Sequence, residues 1–408
     1  MGNRSGRPER STEPVREPAP APATSAPPAD DAPRVVPAAA AVSEDAEDGP
    51  PPPPWKESVA PAPVDIDDAA AWLRAQLVDS ALTRDYPELA ERCCVVAGRW
   101  YETMPKSVWG RVTKSGRLVK ELNESGPVIS RTMAYVDAMP DPASKDEKLV
   151  IVDLCSGFGY LAMFLSELLD KNKVDEIVLV DKMWAMWGAQ PKPHHISWTH
   201  INGEGDFKYA WPIKLSTRKV DLKDHASTKQ MTNHLFARWK GPFCVLGIHL
   251  CGILSIKAVE MFNRHPNVKH LILKPCCLPD FTWTFRSKYF EVGSHRIPTK
   301  EVCSKGKWKK NKWIGPPRST LKVKFEAWND HLCKSIDDEQ GNIAKNIEEI
   351  KVQATHFQNL FIFGERASTR MCIATESTGL VFPTPSGVEA GRWCPTGTGY
   401  GTHVKASE

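Results

Sequence analysis

The sequence predicts an α/β fold, an open and mostly parallel sheet with helices on both faces, and two observations carry that expectation. From residue 148 onward, short apolar runs alternate with longer amphipathic ones. Strand–helix alternation at that spacing implies parallel strands joined by right-handed crossovers. The first apolar run also ends in Ser156-Gly157-Phe158-Gly159, where two glycines let the backbone turn sharply and pass close to a ligand. In an open parallel sheet, ligands bind beyond the carboxyl ends of the strands, which is where this turn falls.

The elements follow in order along the 408 residues. Residues 1–64 hold 16 prolines, 13 alanines and a single aromatic, Trp55. They cannot bury enough apolar surface to offset the entropy of ordering, so a disordered tail is expected. Residues 65–147 turn helical and are expected to form an N-terminal cap. Asp65, Asp67 and Asp68 offer caps for a helix through Trp72, Leu73 and Leu77, and further helices are expected at 87–101, 106–122 and 127–137. Asp141-Pro142 breaks the chain. A domain over 148–370 then has strands expected at 149–155, 176–181, 243–249 and 270–275, with a weaker one at 213–221. Helical stripes fall at 160–169 and 255–262. The rhythm fails after Leu278 in a basic insertion spanning 281–324, then resumes with a helix near 326–336 and a strand pair at 347–355 and 358–365. Residues 371–408, rich in Gly, Thr, Ser and Pro, read as a loose tail.

Charge and cysteine usage narrow the class. The tail carries six Lys/Arg against ten Asp/Glu, while the whole chain is +4, so the remainder is about +8 and favours an acidic partner. No stretch approaches the roughly 20 apolar residues of a membrane helix. Arginines near the start are mixed with Glu9, Glu13 and Glu17, which argues against a transit peptide, and no apolar core marks a secretory signal. A cytoplasmic or nuclear address is expected, with an organellar one left open. Eleven cysteines, an odd number with no C-x-x-C spacing, do not form a secreted disulfide framework, so reduced thiols and no bound metal are expected.

The glycine turn admits two ligands. Gly157-Phe158-Gly159-Tyr160-Leu161-Ala162 satisfies the G-x-G-x-x-A dinucleotide fingerprint, with Asp181 suitably placed downstream for a ribose. Asp153 favours the other reading. A carboxylate at this strand end would repel a pyrophosphate, whereas it suits the ammonium group of a methionine.

The run Asp153-Leu154-Cys155-Ser156-Gly157-Phe158-Gly159-Tyr160-Leu161 resembles motif I of class I S-adenosylmethionine-dependent methyltransferases. His249-Leu250-Cys251-Gly252 and Lys274-Pro275-Cys276-Cys277-Leu278-Pro279 resemble one eukaryotic branch of that family, which includes the tRNA nucleoside-4 ribose 2′-O-methyltransferases. The resemblance covers roughly residues 148–366. The tRNA enzymes carry Cys/His zinc modules ahead of the domain and nothing comparable appears in this sequence, so it extends to the domain more than to the tRNA substrate. It implies a Rossmann-like fold with a seven-stranded, mostly parallel sheet, and S-adenosylmethionine as cofactor. Asp153, Cys155, Gly157 and Gly159 would lie along the methionine moiety, Asp181 would accept from the ribose hydroxyls, and Asp221 and Leu222 would flank the adenine.

On the acceptor side, two strand ends should converge, bringing His249 and Cys251 near Lys274, Cys276 and Cys277. His249 or Lys274 could handle the acceptor proton. A cysteine, Cys276 or Cys251, could instead add to a pyrimidine ring as a thiolate. The His and Cys could ligate zinc, or the thiols could simply fill space. Beyond them, residues 286–324 hold 12 Lys/Arg against only Glu291 and Glu301. Lys307, Trp308, Lys309, Lys310, Lys312 and Trp313 suggest phosphate contacts with base stacking, which points to RNA as partner. A methyltransferase fold kept as an RNA-binding module, and a nicotinamide-dependent oxidoreductase, are the competing functions.

Overall fold

The computed structural model describes residues 66–367 apart from 187–188, 238–240, 310–311, 339–340 and 353–357. The tails expected at 1–64 and 371–408 lie outside the described residues.

Five helices come first: α1 (Ala69–Leu77), α2 (Ala81–Asp85), α3 (Pro87–Thr103), α4 (Lys106–Val112) and α5 (Arg117–Ala138). The Asp68 carboxylate caps α1, accepting from the backbone N–H groups of Ala70 and Ala71, a contact worth about 1 kcal/mol. The break expected between 122 and 127 does not occur. α5 runs straight through Pro127, whose ring is tolerated because Gly126, Val128 and Ile129 are buried along with it. Tertiary burial thus outweighs the roughly 3 kcal/mol a helix-interior proline costs. The break lies instead at 113–116, where a single 3₁₀ turn, Lys114–Gly116, separates α4 from α5.

The sheet strands are β1 (Leu149–Leu154), β2 (Val174–Asp181), β3 (Lys214–Lys219), β4 (Phe243–Gly247) and β5 (Val268–Leu273), linked by α6 (Tyr160–Leu168), α7 (Thr199–Asn202), α8 (His225–Phe236) and α9 (Leu254–Arg264). The 281–324 insertion folds into α10 (Trp283–Arg286), a hairpin of β6 (Tyr289–Val292) and β7 (His295–Pro298), α11 (Thr299–Val302), and a hairpin of β8 (Lys307–Lys309) and β9 (Lys312–Ile314). α12 (Arg318–Lys334), β10 (Ile343–Glu349) and β11 (Leu360–Arg366) close the described chain.

The result is the expected seven-stranded sheet, in the order β10-β11-β5-β4-β1-β2-β3. β1 to β5 are parallel and β11 runs antiparallel between β5 and β10. β1 is buried at every position, as a central parallel strand covered on both faces must be. The two edge strands carry the charge, β3 with Lys214, Arg218 and Lys219 and β10 with Lys345, Glu348 and Glu349, which discourages pairing with other chains.

One face of the sheet packs with α1, α3, α5 and α6 around Trp100, Trp109 and Phe164. The other packs with α8, α9 and α12 around Phe262 and Trp328. The cap therefore shares a core with the sheet. α8 had no counterpart in the sequence reading, although Asp224, which accepts from the Ser227 N–H at its N-terminus, marks its start. No helix among the described residues is long and apolar enough to cross a membrane.

Candidate active site

The four inner parallel strands end on the same side, and the turn from β1 into α6 sits there. Gly157 and Gly159 both have positive φ, +53° and +96°, and Cys155 is the only non-glycine residue with positive φ among the described residues. The glycines take this region freely, whereas Cys155 is strained there and persists only where the surroundings fix it. They do so here. Gly157 N–H donates to Asp181 Oδ2 at 3.1 Å, and Met183 N–H donates to Asp181 Oδ1 at 2.7 Å. Ser156 N–H donates to the Val180 carbonyl, and the Trp184 indole N–H donates to Ser156 Oγ at 3.2 Å. His200 stacks on Phe158 with ring centroids 3.8 Å apart, and its Nε2 lies 2.8 Å from the Phe158 carbonyl. Burial holds that imidazole down at about 3, so it is neutral and donates.

The two glycines differ. A Cβ on Gly159 would lie 2.4 Å from Leu179 Cδ2, whereas a Cβ on Gly157 would meet nothing within 4 Å. Both positions favour glycine through their left-handed φ; at Gly159 the Leu179 methyl would also have to move, while Gly157 borders open space.

Asp153 is 3% exposed, and its Oδ2 has no hydrogen-bond partner among the described residues. Burial pushes its carboxyl up to about 8, opposed by the charge of His249 and reinforced by those of Asp181 and Glu121. A narrow slot reaches it, lined among others by Glu121, Ser125, Ser156, Tyr160 and His249. Its volume is about 10 Å³, at the lower bound for a single water-sized group. Cys155 is half-buried, and burial pushes its thiol up to about 12. Asp221 and Leu222 follow β3. Asp221 Oδ1 accepts from Lys223 N–H at 2.9 Å, and the Leu222 side chain is in the core.

The acceptor side includes two residues that the sequence reading missed. α5 brings Glu121 and Glu124 over the ends of β4 and β5. His249 Nε2 lies 2.8 Å from Glu121 Oε2 and 3.9 Å from Glu124 Oε2. Burial pushes His249 down, but its hydrogen bond to Glu121 and the charges of both glutamates outweigh this, so the imidazole sits above its ordinary range. Burial likewise pushes Glu121 up, and His249 more than reverses that. Lys274 is buried with Nζ 3.7 Å from Glu124 Oε2. Both acids lie on one face of α5 at i, i+3 spacing, a pattern that does not by itself separate them from a solvated pair.

Cys251, Cys276 and Cys277 do converge, their sulfurs all within 4.8 Å of one another and Cys251 and Cys276 only 3.1 Å apart. Hydrogen bonds from the other two thiols lower the Cys251 sulfur, while the same contacts raise Cys276. The expected convergence of these two strand ends is brought about by the pairing of β4 with β5.

In the basic insertion, Lys309 and Lys312 face each other across the β8–β9 hairpin and are exposed. Trp313 is half-buried and its indole N–H donates to the Pro316 carbonyl at 2.8 Å. Lys307 and Trp308 lie in β8, and Lys310 is outside the described residues. Ser304 N–H donates to the Pro279 carbonyl, which anchors this segment beside the Cys276–Cys277 loop. A larger, shallow hollow of about 630 Å³ along α12, lined by Glu301, Ser319 and Val323 among others, contains none of the expected site residues.

No family model and no curated protein matches the chain. Solved structures similar to it include a candidate S-adenosylmethionine-dependent methyltransferase from Listeria monocytogenes, at 12% identity over 61% of this chain and 100% of that one, with a TM-score of 0.28. A second is the DszA carbon methyltransferase, at 13% identity, 74% and 67% coverage and a TM-score of 0.26. A third is an O-methyltransferase family protein from Burkholderia thailandensis, at 11% identity, 71% and 77% coverage and a TM-score of 0.22. At TM-scores this low the likeness carries no argument about activity, which rests on the chain's own residues.

Proposed function

We propose that the chain binds S-adenosylmethionine over the β1–α6 turn and transfers a methyl group to an acceptor, with RNA as the acceptor class. The observation that carries this reading is the buried, unpartnered Asp153 oxygen in a slot that Cys155 and Ser156 of the glycine turn also line. A desolvated carboxylate is costly until a cation reaches it, and the α-ammonium of the methionine end is a cation of the size its slot admits. A pyrophosphate in the same place would bring no cation to ionise that buried carboxyl, which counts against a dinucleotide. Asp181 already accepts two backbone N–H groups, one on each oxygen. Each oxygen keeps a lone pair for a ribose hydroxyl. Asp221 and Leu222 would border the adenine.

When bound, S-adenosylmethionine supplies an electrophilic methyl group on a sulfonium sulfur. His249 then removes the acceptor proton, and it must be neutral to do so. Glu121 orients the imidazole and also raises its pKa, so the neutral form gains as pH rises above the ordinary histidine range. Lys274 is held by Glu124 and positions that carboxylate rather than touching the acceptor. Exposed Lys309 and Lys312 fit an RNA backbone.

The test is equilibrium binding of S-adenosylmethionine and of NAD to the purified chain, followed by tritiated-methyl transfer into RNA, protein and small-molecule pools. Binding of the first with label in RNA supports the proposal. Tight NAD binding without adenosylmethionine binding sinks it.

A further inference from the structure

We infer that Cys251, Cys276 and Cys277 form a binding site for a soft divalent cation, zinc by preference, with one coordination position open. Three sulfurs converge within 4.8 Å of one another. Tetrahedral zinc with bonds of about 2.3 Å requires sulfurs about 3.8 Å apart, between the 3.1 Å of the closest pair and the outer limit of the group.

The backbone holds this arrangement independently of the thiols. Cys251 bridges to Cys277 between strand ends. Gly252 N–H donates to the Cys277 carbonyl at 3.1 Å. The Gln358 side-chain amide donates to the Cys276 carbonyl at 2.9 Å. A ligand set positioned by the backbone loses little freedom when it takes up an ion. Cys251 and Cys277 are exposed and Cys276 is half-buried, so an ion has an entry path. No fourth His, Cys, Asp or Glu atom joins the group among the described residues, which leaves a position for water or an acceptor atom.

A disulfide would use two of the three sulfurs and strand the third. Three thiolates around a divalent ion leave a net charge of −1, which the exposed side of the group can share with solvent. Metal uptake is thiolate formation: each thiol gives up its proton to solvent as its sulfur bonds the ion, with no change in oxidation state.

The experiment uses the full chain, reduced and then loaded with zinc alone. About one equivalent should survive gel filtration, and X-ray absorption should show a sulfur shell at about 2.3 Å. Cys251→Ser and Cys276→Ser should each weaken zinc retention by roughly tenfold or more. Cys303→Ser, a buried thiol outside the cluster, should leave it unchanged. A nitrogen- and oxygen-only shell on the unmutated chain would overturn the inference, as would zinc retention that ignores both serine variants. So would a Cys251–Cys276 disulfide that forms in preference to zinc uptake in the presence of a mild thiol reductant. No cofactor is present in the assay, so its failure leaves the methyltransferase reading untouched, and the reverse holds as well.

Discussion

The β1–α6 turn and the mouth formed by β4 and β5 lie at the same end of one sheet but are held by different forces. The turn is a backbone structure. Left-handed positions, glycines and N–H groups collected by Asp181 make it, and its polar partners Asp181, Met183, Trp184 and His200 all lie within about 45 residues of Gly157. The mouth is a side-chain structure. Its main pairs join Glu121 to His249 across 128 positions, Glu124 to Lys274, and Gln358 to Cys276 across 82. A backbone site tolerates almost no added atoms, whereas a side-chain site fails when a charge loses its partner. The two should therefore break in different ways.

The largest contrast is expected within the turn itself. Gly157→Val should abolish adenosylmethionine and adenosylhomocysteine binding, because a branched Cβ at a left-handed φ fills the open space. Gly159→Ala should instead unfold the turn against Leu179 and lower the melting temperature. Calorimetric titration alongside thermal melting separates the two; equal losses of binding and stability in both variants would erase the distinction.

At the mouth, His249→Ala should lower turnover by about 10²- to 10⁴-fold while leaving cofactor affinity intact. The pH–rate profile of the unmutated chain should rise along a limb above the ordinary histidine pKa, because His249 is raised. Glu121→Gln should move that limb to lower pH. A limb that does not move would mean that another group takes the proton.

Asp153→Asn should weaken cofactor binding by roughly 10- to 100-fold, the loss of one charge-assisted hydrogen bond of about 1.5–3 kcal/mol. Stability should respond too, with a definite sign. The folded carboxyl sits near 8, above its unfolded value of 3.8, so the folded state holds a proton the unfolded state has lost, and this group's contribution falls as pH rises between the two. Melting of the ligand-free variant should be less sensitive to pH over that window than melting of the unmutated chain.

The smallest effect concerns the hairpin. Replacing Lys309 and Lys312 by Gln should reduce the salt slope of RNA binding by about 0.7 for each lysine that meets a phosphate. A slope that stays the same would remove these lysines from the interface.

The same contrast explains what could be read from the sequence. The turn was legible because its determinants are consecutive: an apolar run, an Asp, two glycines and a helical stripe. The parallel strands follow from the alternation of elements, and a final strand pair was expected, although its first member lies at Ile343–Glu349 and not at 347–355. Glu121 and Glu124 were not legible as site residues, since nothing within 20 positions of either announces a histidine and a lysine far downstream. The break expected before Pro127 failed for a related reason, because burial of that stretch overrides its local cost. β6 to β9, of three or four residues each, were too short to register as strands. The convergence of Cys251 with the adjacent Cys276 and Cys277 was expected from the strand ends, but their sulfur geometry was not. A crossover between neighbouring strands makes it.

The position of β11 has a consequence for how the chain is made. Synthesis delivers β1 to β5 first, yet β5 acquires its outer neighbour only when residues 360–366 arrive. Until then a central apolar strand presents a bare edge, which invites pairing with another nascent chain. Completion of the sheet must await nearly the whole described polypeptide, with contacts of large sequence separation formed late and therefore slowly. The same segment follows Gln358, which fixes the Cys276 carbonyl. A ribosome that stalls before position 358 would thus release a chain whose cofactor turn is complete, whose sheet is open, and whose thiol mouth lacks one of its fastenings.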